Sequence, residues 1–321
     1  MSLKRRHWLI GSAAIATLPA WPREAAPLRI LVGFPPGGGT DAIARLLAER
    51  LKDLLGVPVV VDNRPGAGGQ IAAQVLKSAP ADGSTVFLTH DHTISILPQV
   101  VRNPGFDPGR DFVPAGGIAT FVNALALSPG TPAQGFTGYV DWLRRERGGK
   151  SAVGIPAPAS TPEFLVKLLG QRYQLDLVAA PYRGAAPLMA DMMGNQIPAG
   201  IGSVQDFIEN HRAGKLRVAA VLGGKRQAAL PDVPTFAELG LPGFEDLPYY
   251  GFYAPRGTPQ KAIDAFAAAV AQAVAQPGLH AQLTAMGLTV GYMAPAQLHA
   301  REQAYTAVWR KIIQASGFQP Q

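Results

Sequence analysis

The chain has no cysteine among its 321 residues, which excludes disulfide bonds, thiolate catalysis and cysteine-based metal sites. Charged residues are also scarce, at 16%. There is no stripe of Lys and Arg and no interleaved aromatic platform, so the sequence does not predict binding to nucleic acid. Beyond residue 26 there is no run of about 18 apolar residues of the kind that spans a membrane as a helix.

Glycine and proline are abundant, with 36 and 29 residues, and 47% of the chain is hydrophobic. This composition indicates a compact protein with many defined turns, and its length is sufficient for two lobes. The formal charge of +7 is uneven, because residues 1–26 contribute +3 and the remaining body contributes +4. A weakly basic body can help to gather anionic solutes.

The N-terminus has the pattern of an export signal. Lys4, Arg5 and Arg6 precede a short apolar run at residues 8–18, and the sequence Arg-Arg-His-Trp-Leu resembles a twin-arginine signal. We therefore expect residues 1–26 to be a signal peptide and the protein to be periplasmic. The alternative is a frayed cytoplasmic N-terminus, and the cleavage site is left open.

Strands are predicted to alternate with helices in the first part of the body. Strands are expected at 28–34, 57–61 and 85–89, and helices with one apolar face at 42–55 and 70–78. This alternation predicts a parallel sheet that is covered on both faces.

A similar rhythm starts again at residue 151, which predicts a second α/β lobe. Its expected strands are 151–154, 177–180 and 216–222, and its expected helices are 163–171 and 187–193. The region from residue 261 is predicted to be helical.

The strand-to-helix turns are the candidate functional segments. In both lobes they are rich in Gly, Pro, Ser and Thr, and such turns gather at the carboxyl edge of a parallel sheet, where ligands bind. A helix N-terminus with glycine nearby can hold an anion through its free N–H groups. One helix end contributes only about 0.3–1 kcal/mol, whereas micromolar binding requires about 8 kcal/mol. Other hydrogen bonds, water and lobe closure must therefore supply the rest.

Two other interpretations of the first turn stay open. Thr40 or Asp41 can simply cap the following helix. Residues 37–42 also fit the dinucleotide pattern G-x-G-x-x-A, with Asp62 at the end of the next strand. Two prolines before the glycines, a second glycine turn at 63–69 and the export signal argue against that dinucleotide site.

Six segments in order resemble the Bug-type receptors, the extracytoplasmic solute-binding proteins of tripartite tricarboxylate transporters. These segments are 34–41 (Phe-Pro-Pro-Gly-Gly-Gly-Thr-Asp), 62–69, 81–85, 181–187, 230–240 and 254–259. The resemblance implies an α/β, two-lobed, periplasmic-binding-protein-like fold of type II, each lobe a mainly parallel sheet flanked by helices. It implies lobe 1 at 27–125 plus 251–321 and lobe 2 at 126–250.

The same resemblance implies a non-enzymatic receptor that closes on a small organic acid or amino acid. Its expected partners are membrane transporter subunits or a sensor protein, and we expect a monomer without cofactor, metal or nucleic acid. The alternatives are a dinucleotide-dependent oxidoreductase and an exported sensor that signals to a membrane partner. The sequence departs from the family pattern at Ala159 and Glu163, where a glycine and a histidine are usual, so the ligand's identity is left open.

The predicted ligand-binding residues come from these turns and from the end of the third strand. Arg183 is a candidate clamp for a carboxylate or a solvated loop residue, and whether His90 and Glu163 face the cleft is left open. No catalytic or metal-binding residue is predicted. The predicted ligand-binding set is Phe34, Pro36, Gly38, Gly39, Thr40, Asp41, Gly66, Ala67, Gly68, Gly69, His90, Ser160, Thr161, Arg183, Gly184, Ala185 and Ser203.

Overall fold

The computed structural model describes residues 26–242 and 247–320. Apart from Ala26, the predicted signal peptide lies outside the described residues. In the part of the chain that the structure describes, no helix is both long and apolar enough to cross a bilayer.

The described residues form two β-sheets with helices on their faces. The strands are β1 (Leu28–Val32), β2 (Val59–Asn63), β3 (Thr85–His90), β4 (Phe112–Thr120), β5 (Asn123–Leu127), β6 (Lys150–Ile155), β7 (Asp176–Pro181), β8 (Ala199–Ser203), β9 (Arg217–Val221), β10 (Tyr249–Pro255) and β11 (Thr289–Met293). The helices are α1 (Gly39–Leu55), α2 (Gln70–Lys77), α3 (Leu97–Val100), α4 (Pro108–Asp111), α5 (Gly135–Glu146), α6 (Thr161–Tyr173), α7 (Ala185–Met193), α8 (Val204–Arg212), α9 (Gln260–Ala275), α10 (Pro277–Ala285) and α11 (Pro295–Ala315).

The two sheets share one strand pattern. The order is β11-β4-β10-β3-β1-β2 in the first sheet and β7-β6-β8-β5-β9 in the second. In each sheet three neighbouring strands are parallel, and an antiparallel strand, β10 or β5, is inserted beside them. The two-lobed α/β fold predicted from the sequence is confirmed, and both sheets are mixed rather than mainly parallel. The antiparallel pairings arise because the chain changes lobe next to these strands.

The chain passes from the first sheet to the second between Thr120 and Asn123, and it returns at Tyr249. These positions lie within a few residues of the crossings expected near 126 and 250. Thr120 is the last residue of β4 and Asn123 the first of β5, so the first crossing is a two-residue connection. A hinge here would be short.

The central strands of each sheet are buried on both faces, because alternate side chains enter apolar clusters on opposite sides. In β1, Ile30 and Val32 face one apolar cluster and Leu31 faces another. In β5, Leu125 packs into one cluster of the second lobe and Ala124 into the other. The cores therefore fix the positions of the strand ends, where the predicted turns begin.

The C-terminal helix α11 contacts both lobes. Its Trp309 packs against the first lobe's core and lies 5.3 Å from the ring of Phe164 on α6, measured between centroids. Lys167 of α6 also donates a hydrogen bond to the carbonyl of Ser316, just beyond α11. Any opening of the lobes must therefore slide or break the α6–α11 contact.

Candidate functional site

A cleft with about 550 Å³ of empty space lies between the two lobes. It is bordered by the N-termini of α1, α6, α7 and α8, all of which follow strands of the two sheets. The helix α1 begins at Gly39, three residues earlier than predicted, because the extended backbone of Gly38 serves as its N-cap. The unpaired N–H groups of a helix N-terminus favour a negative group nearby.

One wall of the cleft is aromatic and belongs to the first lobe. The ring of His90 stacks on Phe34 with centroids 4.9 Å apart and an interplanar angle of 17°. It also meets Tyr250 edge-on at 5.5 Å, and Phe121 lies 4.9 Å from Tyr250. The four rings hold one another in place, so this wall is preorganised.

The opposite wall is formed by the start of α6 and by Ala185 at the start of α7. The Ser160 hydroxyl donates to the carbonyl of Ala157 at 2.6 Å and is therefore engaged within its own turn. Thr161 lines both the cleft and the adjoining pocket that contains Tyr305. Its buried hydroxyl makes no hydrogen bond of normal geometry within the described residues, although Tyr305 lies close enough to interact with it. Because a buried hydroxyl without a partner costs free energy, Thr161 is the stronger candidate for a ligand contact on this wall.

The lobes touch each other across the cleft, so the structure represents a closed form. The N–H of Gly39 donates to Oδ1 of Asp206 on α8 at 2.9 Å. The amide of Gln205 donates to the Tyr250 hydroxyl at 2.7 Å, and that hydroxyl lies 3.1 Å from the hydroxyl of Thr40. A Cβ atom on Gly39 would lie 2.5 Å from Cγ of Gln205, so only glycine permits this approach.

Asp206 is partly accessible from the cleft but is surrounded by protein. Desolvation raises the pKa of its carboxyl to about 6. Hydrogen bonds from the backbone N–H groups of Gly39 and Ser203, together with the nearby His90, act in the opposite direction. The side chain therefore bridges the N-termini of α1 and α8 and titrates close to neutrality.

The segment His90-Asp91-His92 begins in the cleft and continues into the core. Nδ1 of His90 lies 3.3 Å from Oδ1 of Asp91, and both side chains line the cleft. His92 is buried, and desolvation lowers its pKa to about 3, so it is neutral at physiological pH. Among the described residues, no three His, Asp or Glu side chains come together as a metal site.

The second glycine turn borders a different space from the first. A groove of about 570 Å³ is lined by Gly66, Ala67, Gly68, Arg183 and Gly184. Phe34 lines both this groove and the cleft and so separates them. The predicted residues are thereby divided between two spaces, and the nine that line the cleft are Phe34, Gly38, Gly39, Thr40, His90, Ser160, Thr161, Ala185 and Ser203.

Three predicted residues line neither space. Pro36 is exposed. Asp41 accepts hydrogen bonds from the N–H of Gly37 at 3.0 Å and from Asn63 at 2.9 Å, and it pairs with Arg45 at 3.0 Å. Burial alone would raise the pKa of Asp41, but these partners lower it below its usual value. A Cβ on Gly69 would lie 2.5 Å from the Thr93 hydroxyl, so this glycine serves packing. Asp41 thus stabilises the turn, and its carboxylate is not free for a ligand.

Sequence reasoning missed Asp206 and Phe121, which both line the cleft. Asp206 had a usable signal, since Ser203-Val204-Gln205-Asp206 has the S-x-x-D spacing of a capping box. The position of Phe121 had none, because it lies in the two-residue connection between the lobes. Glu163 faces away from the cleft and accepts a hydrogen bond from the N–H of Ala159 at 2.5 Å.

Comparison with known proteins identifies the family of this fold. Residues 43–318 match the model of the tripartite tricarboxylate transporter family receptor. A protein from the tcbD–tcbE intergenic region of a Pseudomonas species is 32% identical over 321 residues, covering 97% of this chain and 94% of that protein.

Solved structures agree with this match. The periplasmic binding protein BugD is 27% identical with a TM-score of 0.86, and the alignment covers 94% of this chain and all of BugD. An R. palustris protein solved with adipate is 30% identical with the same TM-score of 0.86 and the same coverage. Of these two similar structures, one is a periplasmic binding protein and the other was solved with a dicarboxylate.

Proposed function

Because this chain belongs to the tripartite tricarboxylate transporter family of receptors, we propose that it is a periplasmic receptor that captures a small carboxylate-bearing solute between its lobes. The observation that carries the proposal is the convergence of four helix N-termini on one closed cleft. Asp206 already occupies the N-termini of α1 and α8, so those of α6 and α7 are left to stabilise the carboxylate of a ligand. Lobe closure removes that carboxylate from water, and each hydrogen bond to it is stronger away from water. The relative solved with adipate supports the same ligand class.

The ligand's carboxylate is proposed to lie against the start of α6. The Thr161 hydroxyl, which lies near Tyr305 but makes no hydrogen bond of normal geometry, is the candidate donor there, and the start of α7 at Ala185 faces the same space. The aromatic wall formed by Phe34, His90, Phe121 and Tyr250 would cover the apolar part of the solute. The second groove, which carries the exposed Arg183, also lies between the lobes, because Gly184 packs against Pro35. It is the lesser candidate because, of the four rings of the aromatic wall, Phe34 alone lines it.

The geometry argues against the dinucleotide interpretation of the first turn. A dinucleotide would place its pyrophosphate at the N-terminus of α1, where Gly39 already donates to the carboxylate of Asp206. A second negative group at this position would be repelled. Asp62, the candidate ribose ligand, instead pairs with Arg64 at 2.9 Å.

Calorimetry and thermal-shift measurements on the purified protein test the receptor proposal. The ligands are dicarboxylates, amino acids, aromatic acids and NAD, each titrated singly. The proposal expects saturable binding of one carboxylate per chain, together with a smaller radius of gyration in solution scattering when the ligand is present. Stabilisation by NAD alone, or by none of the carboxylates, would overturn it.

We further propose that the captured solute is delivered to membrane transporter subunits. Cell fractionation of a strain producing the full chain tests export, and Arg5→Lys with Arg6→Lys tests the twin-arginine route. Uptake of labelled ligand by cells that lack this receptor, with and without the gene restored, tests delivery. Uptake that is unaffected by loss of the receptor would contradict a transport role.

A further inference from the structure

The charge of the cleft is unusual for a site that receives an anion. Two carboxylates, those of Asp91 and Asp206, line it, and among the described residues of its lining there is no Lys or Arg. His92 is neutral because it is buried. Among the described residues, His90 is thus the one basic side chain of the lining that is not fully buried in the core.

Asp206 occupies the position at which the first glycine turn would hold an anion. Its Oδ1 accepts from Gly39 at the start of α1, and the N–H of Ser203 is its second backbone donor. No Lys, Arg or His of the described residues forms an ion pair with it. The carboxylate is therefore held by helix N-termini and faces the cleft without an ion pair, and His90 is the lining basic side chain whose charge acts on it.

The surroundings of Asp206 are suited to a cation. Tyr250, which is close enough to Asp206 to be influenced by its charge, and Phe121, 4.9 Å from Tyr250, present aromatic rings to the same cleft. Aromatic faces attract ammonium groups, and they do so more strongly when the site is shielded from water. A carboxylate beside several rings is thus a plausible subsite for a cationic nitrogen, whereas a second ligand carboxylate would meet a like charge.

We propose that Asp206 makes this receptor select a solute that carries a cationic nitrogen as well as a carboxylate, and reject the dicarboxylate of equal length. The nitrogen would lie between Asp206 and the aromatic wall, and the carboxylate would lie against Thr161 on α6. This inference rests on the proposed receptor function. It adds that the subsite at α1, the place predicted for an anion, serves the positive end of the ligand.

Matched ligand pairs test this preference, since each pair differs only in whether one end is an ammonium or a carboxylate. The pairs are glycine with malonate, β-alanine with succinate, 4-aminobutanoate with glutarate, 5-aminopentanoate with adipate, and 4-(aminomethyl)benzoate with 4-(carboxymethyl)benzoate. Calorimetry near neutral pH is expected to show at least one amino acid binding about tenfold or more tightly than its dicarboxylate partner. If, in the pair that contains the tightest ligand, the dicarboxylate binds as tightly as the amino acid or more tightly, the inference is overturned but the receptor function stands. Absence of binding by every member would overturn both.

The substitution Asp206→Asn assigns the preference to this side chain, because the amide keeps the shape and an acceptor for Gly39 but loses the charge. For the pair that shows the largest preference in the wild type, we expect the ratio of amino-acid affinity to dicarboxylate affinity to fall by about tenfold or more. A preference that survives in a variant with a cooperative melting transition would overturn the role of Asp206. Should the variant not fold, the wild-type pairs still decide the charge preference. Glu209→Gln is the matched control, because it removes an exposed carboxylate from the same helix outside the cleft and should leave the preference unchanged.

Discussion

The carboxylate of Glu163 accepts a hydrogen bond from the backbone N–H of Ala159, two residues before α6 begins. Ala159 has a φ of +50°, which is unfavourable for a residue with a Cβ. These are the two positions at which the resemblance described from the sequence leads us to expect a glycine and a histidine. The structure couples the departures, because the Glu163 side chain fixes the turn that the alanine strains.

Glu163→Ala should therefore destabilise the protein. The substitution leaves the N–H of Ala159 without its charged acceptor, and a hydrogen bond to a charged group contributes about 1.5–3 kcal/mol. Because Glu163 is partly exposed and water can replace some of this contact, we expect a loss of about 1–2 kcal/mol in the free energy of unfolding. Urea denaturation measures it. Glu49→Ala, on the exposed face of α1, is the control and should change stability by less than about 0.5 kcal/mol.

Ala159→Gly should stabilise the protein slightly. Glycine relieves a left-handed conformation that costs about 1–2 kcal/mol in other residues, while the greater freedom of the unfolded chain offsets about 0.4–1 kcal/mol of that gain. We expect a net gain of about 0.5 kcal/mol by urea denaturation. The same change at the exposed Ala190 of α7 should instead lose about 1 kcal/mol, because no strain is relieved there. Equal losses at both positions would show that residue 159 is not strained.

The turns could be predicted from the sequence, but the role of each residue within them could not. Glycine, proline and hydroxyl residues between apolar runs mark the turns locally, so the starts of α1 and α6 were found within a few residues. The sequence does not tell, however, which of Gly38 and Gly39 must be glycine for the lobes to pack. A Cβ on Gly38 would approach Cβ of Ala185 at an ordinary 3.9 Å, whereas a Cβ on Gly39 would clash with Gln205.

That difference arises from how the lobes dock, and docking joins residues far apart in the chain. Gly39 and Asp206 are separated by 167 positions. The pattern around Asp206 indicates only a helix cap, and nothing local places its carboxylate at the start of another helix. The same limit explains why Asp41, which is next to the glycines in the sequence, was predicted to contact the ligand although it pairs with Arg45 and Asn63.

Gly39→Ala should prevent the lobes from closing. The added Cβ would lie 2.5 Å from Cγ of Gln205 and 2.7 Å from Oδ1 of Asp206, so both side chains would have to shift and give up their hydrogen bonds to Tyr250 and Gly39. We expect ligand affinity to fall about tenfold or more, and the ligand-dependent decrease in radius of gyration to disappear. Gly278→Ala is the control, since its Cβ would meet no atom within 4 Å. Wild-type affinity and contraction in Gly39→Ala would contradict the closed geometry.

Tyr250→Phe should weaken binding through the contact between lobes. Removing the hydroxyl leaves the amide of Gln205, whose Oε1 already has no partner, without an acceptor in the closed form. An unsatisfied buried donor costs about 1–3 kcal/mol, which corresponds to a loss of affinity between about fivefold and about a hundredfold. Calorimetry measures the change.

The matched control is Tyr139→Phe, which removes a hydroxyl that donates to Ser151 within the second lobe. It should lower the melting temperature and leave affinity unchanged. If both variants lose affinity equally, the effect of Tyr250 comes from general destabilisation and not from lobe closure.

The ionisation of Asp206 should make the protein less stable as the pH rises. Its pKa is about 6 in the folded protein, mainly because of desolvation, against an ordinary 3.8. Between these values the folded state holds a proton that the unfolded state has released, so the free energy of unfolding falls as the pH rises through this window. At about 1.4 kcal/mol per pKa unit, the whole effect is at most about 3 kcal/mol. Other groups titrate here too, among them Glu302, whose pKa is raised to about 7 by burial.

Comparing wild type with Asp206→Asn isolates this contribution, because Glu302 and His92 titrate in both proteins. The asparagine resembles the protonated acid, so the two should be about equally stable near pH 4, and the variant should become the more stable by about 2–3 kcal/mol near pH 8. Urea denaturation of the ligand-free proteins across this range measures the difference. A difference that stays constant with pH would mean that Asp206 is not desolvated in the folded state. A growing difference would show that the ligand-free cleft holds a carboxylate at a cost in stability, as expected for a residue retained to meet a positive group on the ligand.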